Sequence, residues 1–183
     1  EEGFKIETEG DSTLGRFVGT MELFSPPGGP TRLAIDSLTV SETKVAGDIT
    51  LADGGASGQL ALTGGGLDGT IDLSPRAGGQ SFDVNLEARN ANFGGATALQ
   101  IATADIKASG LIADGNTTIQ GSADAQGIRY GNLFIGRMQG DAELVNGRGT
   151  VSAAIAGRRG RGFALQLAAD VAALLVERDI QSG

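Results

Sequence analysis

Carboxylates supply most of the chemistry this chain could do. Glu7 and Glu9, Asp68 and Asp72, and Asp141 and Glu143 recur at spacings of two or four. On a strand that spacing puts both members of a pair on one face, as paired acid–base catalysis requires. The polar face of an ordinary strand carries the same pattern, where charge keeps sheets from aggregating, and that reading is taken for all three pairs. Two glycine clusters, GGGLDG at 64–69 and GRRGRG at 157–162, look like phosphate cradles. A cradle needs a following helix whose N-terminus meets the phosphate; no helical pattern follows either cluster, so both read as turns. ADGGASGQL at 52–60 is a single partial match to the calcium β-roll repeat, with nothing after it in register. Asn116-Thr117-Thr118 fits the glycosylation pattern, which matters only in a eukaryotic secretory chain. The 183 residues include no His and no Cys, which removes zinc sites built on those ligands, thiol chemistry, disulfides and every histidine-based triad. The chain reads as non-enzymatic, with no cofactor and no metal.

Charge narrows the partners. The net charge is −8, with 14 acidic and 6 basic residues in 1–90 and eight of each in 91–183. Such a balance argues against a nucleic-acid binder, which needs a basic face, and against docking on anionic lipid surfaces. Arg158, Arg159 and Arg161, with Arg148 nearby, form the one basic cluster. At a hairpin tip they are candidate contacts for a phospholipid headgroup or another phosphate-bearing ligand; otherwise they are a solubilising turn.

The elements that would position these residues are strands. Glycine makes up 31 of the 183 residues, and each Gly inside a helix costs about 1 kcal/mol relative to Ala, so a mostly helical fold is excluded. Alternation with a period of two recurs along the chain. It places Phe17, Gly19, Met21 and Leu23 on one face, and Val45, Gly47, Ile49 and Leu51 likewise. In SFDVNLEA (81–88), Phe82, Val84 and Leu86 lie opposite Asp83, Asn85 and Glu87. The segments 117–125, 128–136, 140–145, 149–157 and 162–171 continue the pattern. Between the runs sit ADGG (52–55), GGG (64–66), AGG (77–79), ADGN (113–116) and NGRG (146–149), residues that tolerate positive φ in tight turns. About 13 strands result, an all-β antiparallel meander. SPPGGP (25–30) is the strongest internal break and a possible sub-boundary; otherwise 1–183 is one repetitive β segment. The alternation changes phase near Asp36–Ser37 and at Asp105–Ile106, which predicts bulges or bends. The stretch 168–179 is ambiguous: its front continues a strand, while Val171, Leu174, Leu175 and Arg178 suit a helix. No apolar run approaches the 18 residues of a membrane-spanning helix. The chain opens in mid-pattern without an initiator Met and is expected to be a piece of something longer.

Every strand so placed has one apolar and one polar face, and no amphipathic helix covers the apolar one. A barrel or sandwich is the usual solution; a long sheet folded lengthwise into a trough is the third. The candidate lining is Leu60, Leu62, Ile71, Leu73, Phe82, Val84, Leu86, Leu99, Ile101, Ile119, Val151, Ile155, Leu165 and Leu167. These residues make either a closed core or an aliphatic groove for acyl chains. Gly19, Gly47 and Ala153 on the same face would keep such a trough unfilled.

DGTIDLSPRAGGQSFDVNLEARNANFGG (68–95) and SADAQGIRYGNLFIGRMQGDAELVNGRGTVSAAIAGRRGRGFALQLAADV (122–171) resemble the middle region of the TamB proteins, in the alphaproteobacterial form of this AsmA-like family. The resemblance covers about two-thirds of the chain. It implies a β-taco trough with few or no helices in the periplasm of a Gram-negative bacterium. The inner-membrane anchor helix, and the part that meets an outer-membrane barrel of the Omp85 class, would both lie outside this chain. It further implies phospholipid transport and outer-membrane protein assembly, with acyl chains in the groove and no catalytic motif. The alternative is a ligand-free structural or adhesive stalk with a closed core.

Overall fold

The computed structural model describes residues 3–171 except 96 and 114. Twelve strands follow one another: β1 (Phe4–Ser12), β2 (Gly15–Phe24), β3 (Thr31–Val40), β4 (Thr43–Ala52), β5 (Gly55–Thr63), β6 (Leu67–Arg76), β7 (Gly79–Phe93), β8 (Leu99–Ala113), β9 (Asn116–Tyr130), β10 (Leu133–Val145), β11 (Arg148–Arg159) and β12 (Arg161–Val171). Each pairs antiparallel with its neighbours in the chain, so one sheet runs in sequence order with β1 and β12 as its edges. It is not closed into a barrel, and no helix occurs among the described residues. At roughly 4.8 Å per strand the sheet is about 53 Å long.

The turns fall where glycine predicts them. Asn146 and Gly147, both at positive φ (53° and 70°), make the β10–β11 hairpin, the two-residue turn whose twist matches that of the strands. The prolines of 25–30 form a loop closed by Gly29 N–H donating to the Pro26 carbonyl (3.1 Å), and β2 pairs β3 directly across it. One segmentation differs from the sequence reading. The run 128–136 is not a strand but the β9–β10 hairpin, turning at Gly131 (φ 57°). The flanking runs therefore merge into two long strands, and the count is twelve, not thirteen. The helical option for 168–179 falls, beyond Val171, outside the described residues.

The two phase changes have different origins. At Asp36–Ser37 the register slips by one residue against β2 and β4, a bulge. In β8 the change sits at Ala102–Thr103 rather than Asp105–Ile106, and pairing with β7 and β9 holds one register throughout. It is not a bulge, because neighbouring strands change phase together. Asn90 (φ 52°), Ala102, Gly127 (φ 65°) and Gly136 stand side by side across β7–β10. The irregularity ends in a slip between β10 and β11 at Ile135/Arg137. This line is a crease. On its inner side Ala88, Ala91, Phe93, Ala104 and Ala125 are buried and pack with Leu67, Leu99, Ile101, Ile128 and Met138. Residues three apart, such as Ala88 and Ala91, both point into the corner because the strand bends between them. Alanine fits a corner too tight for larger side chains.

The crease folds the far ends of β7–β10 toward the apolar face and makes that face concave. The segment after Phe93 reaches back to the other end of the sheet. Gly94 N–H donates to Ser41 Oγ at 3.3 Å, and Ser41 Oγ donates to the Leu14 carbonyl. Apart from the corner, the described core is thin: Ala34, Ile35 and Ile49 complete the buried apolar set. The accessible surface is 11,942 Å², whereas a compact monomer of this mass exposes roughly 8,200 Å². Among the described residues the sheet is a single layer with no helix on either side, which contributes to the excess.

Candidate functional site

Paired residues of antiparallel strands share a face, so the register decides what lies together. One row runs Ile35, Gly47, Leu60, Ile71, Val84, Ala108, Gly121, Ala142 and Val151 from β3 to β11. The next carries Leu38, Val45, Leu62, Gly69, Leu86, Ile106, Ala123, Gly140, Ala153 and Leu167 from β3 to β12. A third joins Leu33, Ile49, Gly58, Leu73, Phe82, Gly110, Ile119 and Leu144. Ile155 pairs with Met138 and Leu165 beside the corner alanines. Leu99 and Ile101 belong to the opposite phase of β8, and the crease brings them to the concave side, where Ile101 pairs with Ala91 and Ile128. All fourteen candidate lining residues thus share one concave face.

Sequence reasoning left out Leu33, Ile35, Leu38, Ile106, Ile128, Met138 and Leu144 of the same face. For β3 the bulge hides the alternation. Ile106 and Ile128 lie on the far side of a phase change from their neighbours, and only cross-strand register places them. Over β8–β10 the floor is Ala108, Gly121 and Ala142, then Ala123 and Gly140, so it lies low between walls of larger aliphatics. The face is open as well: Ile106 is 37% exposed, Leu165 53% and Leu167 49%. Gly47, at φ 150°, would place a Cβ 2.0 Å from the Gln59 carbonyl oxygen, so no side chain fits there.

The other face is polar. Asp68, Glu87, Asp105 and Asp124 stand in one cross-strand row, an arrangement of like charges that is unfavourable alone. Arg89 pairs with Glu87 and lies 3.9 Å from Asp105, and Arg137 lies 3.7 Å from Asp124. The carboxylate pairs of the sequence are on this face, and those of β1 and β6 have structural partners. Glu7 meets Lys5 at 3.2 Å, Glu9 meets Arg16 at 3.1 Å, and Asp72 accepts from Gln59 Nε2 at 2.6 Å. Asp141 and Glu143 border an open depression of about 690 Å³ with Lys107, Gln120 and Ser152. Among the described residues no group of three acidic side chains is placed to hold a metal ion. The glycines at 64–66 are turn residues: the Gly64 and Gly66 carbonyls accept from Leu67 N–H (3.0 Å) and Arg89 N–H (2.7 Å).

The arginine cluster is divided by the sheet. Arg158 pairs with Gly162 and lies on the polar face, with its guanidinium over the Phe134 ring. Arg159 and Arg161 pair with each other across the Gly160 turn, one step along and so on the concave side.

Compared with known proteins, the chain matches no family model, no curated protein and no solved structure.

Proposed function

We propose that this chain is a segment of a bridge-like protein of the TamB/AsmA kind, carrying phospholipid acyl chains along its concave face. One observation carries the reading. A single open sheet about 53 Å long keeps an aliphatic surface continuous from β3 to β12, with no second layer over it among the described residues. An acyl chain is a natural cover for that surface, since each buried CH₂ contributes about 0.8 kcal/mol and no headgroup pocket is needed. The low floor over β8–β10 leaves room for the chain between larger side chains. The family phrases at 68–95 and 122–171 support the same reading, and with it a place in the periplasm of a Gram-negative bacterium. Anchorage in the inner membrane, and contact with an Omp85-class barrel in outer-membrane protein assembly, belong to parts of the protein beyond this chain. The function asks no bond-making of the protein; lipid passes along the groove unchanged.

The test is site-specific photocrosslinking in cells, with a photoreactive residue at Ile106 on the concave face or at Asn85 on the polar face, followed by mass spectrometry of the adducts. Lipid adducts at Ile106 and none at Asn85 are expected. Equal labelling at both positions, or none at either, overturns the reading; no labelling at all points to a ligand-free stalk.

A further inference from the structure

We infer that the lip of the trough formed by β9–β12 carries an arginine clamp for phosphate anions, built on Phe134. Arg129, Phe134 and Arg158 occupy one cross-strand row on the polar face of adjacent strands β9, β10 and β11. The guanidinium carbons lie 5.3 Å (Arg129) and 5.1 Å (Arg158) from the same ring centre. Two like charges flank one aromatic ring, and neither has an acidic partner among the described residues. The nearest carboxylate along β9, that of Asp124, is engaged by Arg137. In a chain of net charge −8, that isolation is local and specific.

The ring does two things here. It attracts each guanidinium through its π-face, which offsets their mutual repulsion. It also restricts two long side chains while leaving their in-plane N–H donors available, the fork geometry that suits phosphate oxygens. Arg159 and Arg161 stand immediately beyond, on the concave side of the same lip. Positive charge therefore straddles the rim, with Arg129 and Arg158 outside and Arg159 and Arg161 inside. A ligand with an aliphatic body in the groove and a phosphate at the rim satisfies both surfaces. The ligand chemistry is a phosphate anion, whose source is a lipid headgroup or free phosphate; only the lipid source rests on the groove reading above.

The experiment is vesicle flotation of the full chain, using phosphatidylcholine alone or with about one-third phosphatidylglycerol, beside calorimetric titration with inorganic phosphate. Binding selective for the anionic vesicles is expected, weakened at least roughly tenfold in Arg129→Gln/Arg158→Gln, since each lost charge-assisted bond is worth that much. Phe134→Leu keeps the bulk, removes the ring and should show part of the loss. Arg16→Gln, which breaks the exposed pair with Glu9, should bind as the unaltered protein does. Saturation by inorganic phosphate that is lost in the double variant, without vesicle binding, supports the clamp and assigns it to a small anion. A double variant with unchanged circular dichroism that still binds anionic vesicles and phosphate like the parent overturns it. If it does so while Ile106 still crosslinks to lipid, the clamp fails and the groove stands. If Ile106 gives no lipid adduct while anion binding still depends on the arginines, the groove fails and the clamp stands.

Discussion

A charge placed in an open groove and a charge placed in a sealed core have different costs, and this molecule offers both sites on one strand. Ile106 and Ala104 share the concave face of β8, two residues apart. Ile106 is 37% exposed, whereas Ala104 is 2% exposed. Burying an isoleucine fully is worth roughly 1.5–3 kcal/mol, so Ile106→Arg forfeits at most about two-thirds of that. The arginine stem can lie along the aliphatic floor with its head in water and recover part of the loss, leaving a net cost of about 1 kcal/mol. At Ala104 the head has no route to water. An unpaired buried charge costs about 3–5 kcal/mol, and forcing a long side chain into the corner beside Ala88 and Ala125 adds about 1–3 kcal/mol. For a chain of this size 1 kcal/mol moves Tm by about 2–4 °C. Ile106→Arg should therefore lower Tm by no more than about 4 °C, and Ala104→Arg by about 8 °C or more. Thermal melts followed by circular dichroism in the strand region measure both. Equal, large losses would show that the concave face is packed shut in solution, and the groove argument would fall with it.

Two backbone positions give independent checks. Gly47→Ala should destabilise by several kcal/mol, because its Cβ would lie 2.0 Å from the Gln59 carbonyl oxygen. Gly54→Ala, where nothing lies within 4 Å, should be close to neutral; urea unfolding midpoints separate the two. At the crease, Asn90 holds φ 52°, a region that a β-branched residue enters only at a cost of about 1–2 kcal/mol. Asn90→Val should therefore lower stability by about that amount and Asn90→Gly leave it nearly unchanged; equal effects in chemical denaturation would mean that the bend does not depend on that conformation.

The meander was legible because its signals are local. Alternation such as that of Phe82, Val84 and Leu86, and turns such as Asn146-Gly147, need no knowledge of distant residues. The bulge at Asp36–Ser37 was visible for the same reason. The crease showed in the sequence only as the phase change of β8, placed three residues too late, because it is a property of four strands at once. Gly127 and Gly136, taken singly, look like interruptions, and they split two continuous strands into shorter segments. Only when Asn90, Ala102, Gly127 and Gly136 are aligned by pairing does the interruption become a bend. The same limit hid the arginine pair. Arg129 and Arg158 are 29 positions apart in the sequence, and their meeting at Phe134 depends on the register of two hairpins. Grouping Arg158 with Arg159 and Arg161 by proximity in the chain joined residues that the sheet sends to opposite faces.

The strict sequence order of the strands governs how such a molecule comes into being. Each strand finds its partner within the adjoining hairpin, so loop-closure entropy stays small and contact order is low for an all-β chain. Pairing can then spread strand by strand, in the quasi-one-dimensional manner of solenoids. A newly made segment need not wait for the far terminus before it folds. The bond from Gly94 to Ser41, across 53 residues, is an exception, and it closes only after the crease has formed. A sheet of this kind lengthens or shortens by whole hairpins while the cross-section of its trough is preserved, so its reach across a gap is set by how many hairpins the chain encodes.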